Sequence, residues 1–174
     1  MKIVLFPGTF DPIHYGHINI ARRAADLFDK VIVAVYARKQ GNILFSPEER
    51  LALAEEALKN VGNISVTAYS GLTVEFAKKV GARAIVRGLR VFSDFEYEFR
   101  MALANNRLEP SIDVIALITS EEHTFLSSTT VREIAALGGD VSSMVPEHVR
   151  LALEERFSAL GNDQDIVPLT SLRD

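Results

Sequence analysis

Residues 7–17 read PGTFDPIHYGH and place two histidines, two glycines and two prolines directly after the first apolar run of the chain. The stretch joins a strand pattern to a helical one, so its glycines and prolines suit a tight turn. His17 then falls in the first helical turn. Free backbone N–H groups and the helix dipole favour an anion there, and an imidazole N–H can donate to a phosphate oxygen. The plainer alternative is that Pro7, Gly8 and Pro12 shape the turn while His14 and His17 fill polar gaps. A metal site fits less well, because no cysteine or carboxylate cluster accompanies the two histidines to complete a coordination shell.

Three further segments carry groups of the same chemical type. VRGLRVFSDFEYEF (86–99) leaves a strand with Arg87 and Arg90 on either side of Gly88. Guanidinium forks match phosphate oxygens bidentately, and a glycine between them allows close backbone approach to a ligand. In that segment Asp94 and Glu96 read as a solvated helix face, and Phe92, Phe95 and Phe99 as core or subunit contact. Met101 and Leu103 read as helix packing. FLSSTTVRE (125–133) sets Ser127, Ser128 and Thr129 at a helix start, where hydroxyls cap the helix and can also offer donors to an anion. ARKQGNILF (37–45) adds Arg38 and Lys39.

Positioning four such segments requires a scaffold, and the apolar pattern supplies one. Runs rich in Val and Ile recur at 2–6, 30–36, 64–69, 82–88 and 113–119, apolar at consecutive positions as strands buried on both faces tend to be. Helical patterns lie between and after them at 17–28, 47–60, 74–80, 92–107, 129–137 and 146–157. The second helix opens with Ser46 as N-cap, Pro47 at the first position and Glu49 closing a capping box. This alternation predicts an α/β fold: a doubly wound, Rossmann-like, five-stranded parallel sheet with helices on both faces. Its ligand crevice lies beyond the carboxyl ends of the strands.

The chain has 174 residues, 48% apolar and 24% charged, which is the size and composition of one ordinary globular domain. The expected domain spans residues 1–160, and residues 161–174 form a tail without helical periodicity, read as a mobile end or an arm packing on a neighbour. A net charge of −4 gives no general reason to bind nucleic acid or an anionic membrane, so anion binding must be local. No cysteine is present, which excludes disulfides, thiolate metal sites and a thiol nucleophile. With neither a membrane-span pattern nor a signal peptide, the sequence reads as cytoplasmic.

GTFDPIHYGH together with SSTTVR resembles the paired motifs of the nucleotidyltransferase superfamily, His-x-Gly-His after the first strand and Ser-Ser-Thr-x-x-Arg late in the chain. That pair is shared among adenylyltransferases and cytidylyltransferases. RGLRVFSDFEYEF, with LFSPEER and FLSSTTVRE, is similar to the phosphopantetheine adenylyltransferase family, and the likeness runs over residues 1 to 157 or so. The resemblance implies that ATP and 4′-phosphopantetheine are joined to give dephospho-coenzyme A and pyrophosphate, with Mg²⁺. It implies further that the assembly is a homohexamer inhibited by coenzyme A.

By matching motif, Thr9 and Phe10 line the junction of both substrates, and His17 contacts ATP and stabilises the transition state, with His14 in a supporting role. Gly88, Leu89, Arg90 and Glu98 contact ATP, as does the segment His123, Thr124, Phe125, Leu126, Ser127, Ser128 and Thr129. Thr73 and Arg87 hold phosphopantetheine, with Leu72 beside its pantetheine arm. Gly41 occupies the place of a family lysine that contacts the acceptor phosphate, so Lys39 or Arg87 would carry that charge instead.

The implied reaction is in-line attack by a phosphopantetheine phosphate oxygen on the α-phosphorus of ATP. The nucleophile is already anionic near neutral pH, so positioning and charge stabilisation can carry catalysis without a general base. Two other readings stand beside it: a related transferase with a different acceptor or with CTP, and a nucleotide-binding protein without turnover.

Overall fold

The computed structural model describes residues 1–37 and 42–161. Arg38, Lys39, Gly41 and the tail beyond Gly161 therefore lie outside the described residues. Five strands, β1 (Ile3–Gly8), β2 (Lys30–Tyr36), β3 (Ile64–Tyr69), β4 (Ala84–Leu89) and β5 (Asp113–Ile118), form one parallel sheet in the order β3-β2-β1-β4-β5. The doubly wound parallel sheet expected from the apolar runs is the observed one. Six α-helices accompany it: α1 (Tyr15–Leu27), α2 (Pro47–Leu58), α3 (Thr73–Lys79), α4 (Phe92–Leu108), α5 (Ser128–Ala136) and α6 (Glu147–Leu160).

Alternate strand residues build the two cores. Val4, Phe6, Val31, Val33, Val35, Ala84 and Val86 face one layer, where they pack with Ile18, Ala21 and Ala25 of α1, Ala54 and Leu58 of α2, Val131 of α5 and Val149 and Leu153 of α6. Leu5, Ile32, Ala34 and Ile85 face the other, against Val74 and Ala77 of α3. Right-handed crossovers explain the division: the chain winds outward from β1 to β3 with its helices on one face, then crosses to β4 and β5 with them on the other. The Ser46 cap forms as expected, its Oγ accepting from the Glu49 N–H at 3.2 Å while Glu49 accepts from the Ser46 N–H at 2.7 Å.

Two features of the sheet prepare a crevice. β1 pairs with β2 along six residues, from Ile3 to Gly8, but with β4 only at Val4–Ala84 and Leu5–Ile85. Past Leu5 and Ile85 the two central strands part company, at the point where the strand order reverses. β1 also runs further than its apolar pattern, through Pro7 and Gly8. Proline is tolerated there because its missing N–H falls on the β4 side, where no ladder bond is made.

Of the two readings given for the α4 phenylalanines, core or subunit contact, the first fails, and so does the helix-packing reading of Met101 and Leu103. α4 buries none of its residues, and Phe92, Phe95, Phe99, Met101 and Leu103 are exposed to between 40% and 89%. They are not core, and among the described residues no second layer covers them.

Candidate active site

The loop between β1 and α1 is built around stacked rings. His14 is the N-cap of α1, and its Nδ1 accepts from the Gly16 N–H at 3.1 Å and the His17 N–H at 3.4 Å. His17 returns the bond, its Nδ1 accepting from the His14 N–H at 3.2 Å. The two imidazoles stack 3.7 Å apart, and Phe10 meets His17 edge-on at 4.9 Å. Glycine is needed twice to admit these rings: a Cβ at Gly16 would lie 2.8 Å from the His14 ring, and one at Gly8 2.9 Å from the Phe10 ring. Phe10 itself holds φ at +51°, a left-handed conformation that costs a bulky residue about 1–3 kcal/mol. Burial of its ring against Phe6 and His17 keeps it there.

These contacts set the chemistry of His17. With Nδ1 occupied as an acceptor, the ring proton resides on Nε2. Burial, followed by the nearby Arg90 and Arg87 charges, lowers the pKa of His17 to about 3. Burial, and then His17, Arg90 and His123, hold His14 well below the usual imidazole range. Near neutral pH His17 is therefore an uncharged imidazole offering an Nε2–H, suited to donate a hydrogen bond and unsuited to exchange a proton.

Both arginines of the β4 segment converge on this loop, each braced by an acid from α4. Arg87 donates through Nε and Nη2 to Glu98, at 2.6–3.0 Å, and through Nη1 to the Pro7 carbonyl at 2.9 Å, so its side chain spans the split between β1 and β4. Arg90 donates through Nε to Asp94 at 3.0 Å and through Nη1 to the Leu126 carbonyl at 2.7 Å. Asp94 also accepts from the Arg90 backbone N–H at 3.2 Å, so it is a brace for Arg90 and not part of a solvated face. Glu96 is exposed, as expected. Gly88 has a packing reason for its missing side chain, since a Cβ would lie 3.2 Å from Ile20 of α1.

The hydroxyl segment closes the far side. Ser127 caps α5, its Oγ accepting from the Thr130 N–H at 3.0 Å, and Ser128 donates to the Pro12 carbonyl at 2.9 Å, tying α5 to the first loop. His123 approaches the start of α1, with its Cβ 3.8 Å from where a Gly16 Cβ would lie. Leu126 is buried, leaving its carbonyl for Arg90, while Phe125 is 59% exposed. A depression of about 630 Å³ at this loop is lined by Ser120, Glu121, Glu122 and Phe125. Its two carboxylates make it unsuited to phosphate. Leu72 and Thr73 stand at the start of α3, where Thr73 bonds the Tyr69 hydroxyl at 3.0 Å, and Arg87 is near enough for its charge to act on that hydroxyl. Thr9 is exposed between β1 and α1.

A family model described as cytidylyltransferase-like matches residues 5–134. A phosphopantetheine adenylyltransferase of Thermomicrobium roseum is 50% identical over 159 residues, covering 90% of this chain and 95% of the relative. One from Caldanaerobacter subterraneus is 50% identical over 157 residues, covering 90% and 98%. The chain belongs to the phosphopantetheine adenylyltransferase family. The structure of a nicotinate-nucleotide adenylyltransferase from Vibrio parahaemolyticus shares its fold, with a TM-score of 0.67 at 20% identity over 88% of this chain and 99% of that one.

Phosphopantetheine adenylyltransferase motifs drew attention to the residues expected to touch ligand, but not to those that hold them. Asp11 is buried, and its carboxylate accepts from the Leu44 N–H at 2.8 Å and the Phe45 N–H at 2.9 Å. Arg132, the arginine of the late motif, lies 3.4 Å from the same carboxylate and donates to the Asp11 carbonyl. Arg50 is fully buried and reaches the Thr9 carbonyl. Little in the sequence marked them: Arg50 follows Glu48 and Glu49, and Arg132 precedes Glu133, so both read as ordinary helix charges.

Proposed function

We propose that this chain transfers the adenylyl group of ATP to 4′-phosphopantetheine, giving dephospho-coenzyme A and pyrophosphate. The observation that carries the reading is the convergence of Arg87, Arg90 and a neutral His17 at the split between β1 and β4, in a member of this family. An acceptor phosphate oxygen attacks the α-phosphorus of ATP, a new P–O bond forms, and the bond to the β-phosphate oxygen breaks in line with it. The attacking oxygen is already anionic, so no proton need be removed.

His17 Nε2–H and the N-terminus of α1 meet the charge that grows on the α-phosphate oxygens. In this reading Arg90, Ser127, Ser128 and Thr129 hold the departing pyrophosphate, with Gly88, Leu89 and Glu98 on the ATP side. Arg87, Thr73 and Leu72 are the acceptor side. Arg87 is held by Glu98, so an incoming phosphate would bind to a guanidinium already fixed in orientation. Among the described residues no group of three or more His, Asp or Glu side chains is placed to hold a metal ion. Mg²⁺ is read as accompanying the ATP phosphates, where it would offset their negative charge, and no step of the reaction is assigned to it.

The test is to incubate the protein with ATP or CTP and a panel of phosphorylated acceptors, reading products by mass spectrometry. Dephospho-coenzyme A with one pyrophosphate released per turnover is expected from ATP and phosphopantetheine. Turnover only with CTP or another acceptor would overturn the assignment, and ATP binding without turnover would point to a nucleotide-binding protein. Arg87→Ala is expected to weaken phosphopantetheine binding by about 10–100-fold, as loss of a bidentate charged contact does, while ATP affinity changes far less. Unchanged phosphopantetheine affinity by isothermal titration would refute that role.

The reading includes a homohexamer, inhibition by coenzyme A and a cytoplasmic location; none of the described helices is long and apolar enough to cross a membrane. The exposed row Phe92, Phe95 and Phe99 on α4, with Phe95 and Phe99 stacked at 5.9 Å, supports self-association, since contiguous apolar surface of this kind is normally covered by a partner. Phe95→Glu with Phe99→Glu is expected to reduce the particle to a smaller species in sedimentation. A wild-type protein that already sediments as a single chain would argue against it. Coenzyme A contains both the pantetheine arm and the adenylyl group of the product, so it would compete at the same crevice.

A further inference from the structure

Arg50 is the most deeply buried charged side chain among the described residues, with 0% exposure. It leaves the first turn of α2 and donates to three backbone carbonyls from separate segments. Nε reaches Phe45 at 3.2 Å, and Nη1 reaches both Thr9 at 2.7 Å and Tyr36 at 2.8 Å. Gly8 and Val35 form the last rung between β1 and β2, and the next carbonyls along each strand are the two that meet on Nη1. One guanidinium thus locks the end of β1 to the end of β2 and to the residue before the α2 cap.

Stability alone does not account for this arrangement. Burial pulls the guanidinium pKa down, with Asp11 and Glu48 opposing. Among the described residues Nη2 is buried without a hydrogen-bond partner, a cost that an apolar side chain of similar volume would not incur. What only a planar fork supplies is a fixed spacing among three carbonyls. The Thr9 carbonyl is the one that matters, because Thr9 and the left-handed Phe10 after it lie at the expected junction of the two substrates, and Phe10 in turn packs on His17.

We infer that Arg50 is a positioning residue for adenylyl transfer, holding the Thr9–Phe10 backbone against the end of β2 so that the acceptor phosphate and the α-phosphorus of ATP meet in line. The inference rests on the proposed reaction. Misplacement by about 1 Å can cost about 10²-fold in rate with little change in binding.

The experiment compares wild type, Arg50→Met and Arg50→Lys in dephospho-coenzyme A formation, with ATP affinity measured separately by titration and folding by circular dichroism. Wild-type turnover comes first: its absence would defeat the proposed reaction and with it this inference, whereas an active wild type lets the variants decide the inference alone. Arg50→Met is expected to fold, bind ATP within about threefold of wild type and lose about 10²-fold in kcat. Arg50→Lys, which keeps the charge but cannot reach three carbonyls, is expected to lose at least about 10-fold. Folded variants with kcat within about threefold of wild type would overturn the inference, leaving Arg50 a structural residue. If Arg50→Met does not fold, the lysine variant decides, and failure of both to fold would equally overturn it, since the requirement would then belong to the fold.

Discussion

His17→Ala is expected to lower kcat by about 10²–10³-fold while ATP affinity stays within about threefold of wild type, because the Nε2–H is worth most when charge develops on the α-phosphate. The structure makes the donor identifiable: His14 N–H occupies Nδ1, and burial with Arg90 and Arg87 lowers the His17 pKa to about 3. Two pH results follow from the same fact. In the rate profile, wild type shows no step near 6.5 from His17, since the native imidazole stays neutral down to about 3. In stability, the unfolded chain takes up a proton at His17 near its ordinary value of about 6.5 and the native chain does not. The stability is thus whole above that pH and falls as pH drops from there towards 3, by up to about 1.4 kcal/mol per pH unit for each such proton. His14, also lowered, adds in the same direction. Denaturant titrations of wild type and His17→Asn at pH 7, 5 and 4 should show the variant losing less on acidification. Equal losses in kcat and ATP affinity, or identical acid sensitivity in the two proteins, would remove His17 from this role.

The central strands were legible because burial on both faces leaves a continuous apolar run, as in KVIVAVY, which forms β2 over the same residues, while the edge strands β3 and β5 keep the apolar run with only partial burial. The Ser46 cap was legible because capping is local, needing only Ser, Pro and Glu at fixed offsets. His14 as a cap was not: histidine seldom serves there, and it does so here because Gly16 leaves room for its ring. Asp94 escaped for a different reason. A carboxylate in a first helical turn looks solvated until the arginine four residues earlier is known to fold back onto it. α4 was ambiguous, since its phenylalanines fit a core helix or a subunit contact equally well in sequence, and only the exposure of those residues excludes the first. The motifs thus pointed to the groups facing the crevice, and what fixes those groups depends on contacts across many residues, such as Arg132 with Asp11, which no periodicity records.

Asp11→Ala is expected to destabilise the protein by about 3 kcal/mol, in the range for breaking a buried charged network from one side. Its carboxylate is 2% exposed and serves two backbone donors, Leu44 N–H and Phe45 N–H, and the Arg132 guanidinium. Removing it leaves those donors without their acceptor. For a domain of this size the loss corresponds to a fall in Tm of about 6–12 °C, compared at one protein concentration because assembly would shift both proteins. Asp11→Asn separates charge from shape: its amide can still accept one backbone bond but presents a donor to the other, so it should recover only part of the loss. Pairing Asp11→Ala with Arg132→Leu tests the network directly, since the double variant should be less unstable than the sum of the two single variants. Simple additivity, or a Tm within about 2 °C of wild type for Asp11→Ala, would mean that the first loop is held to α5 by Ser128 and packing alone.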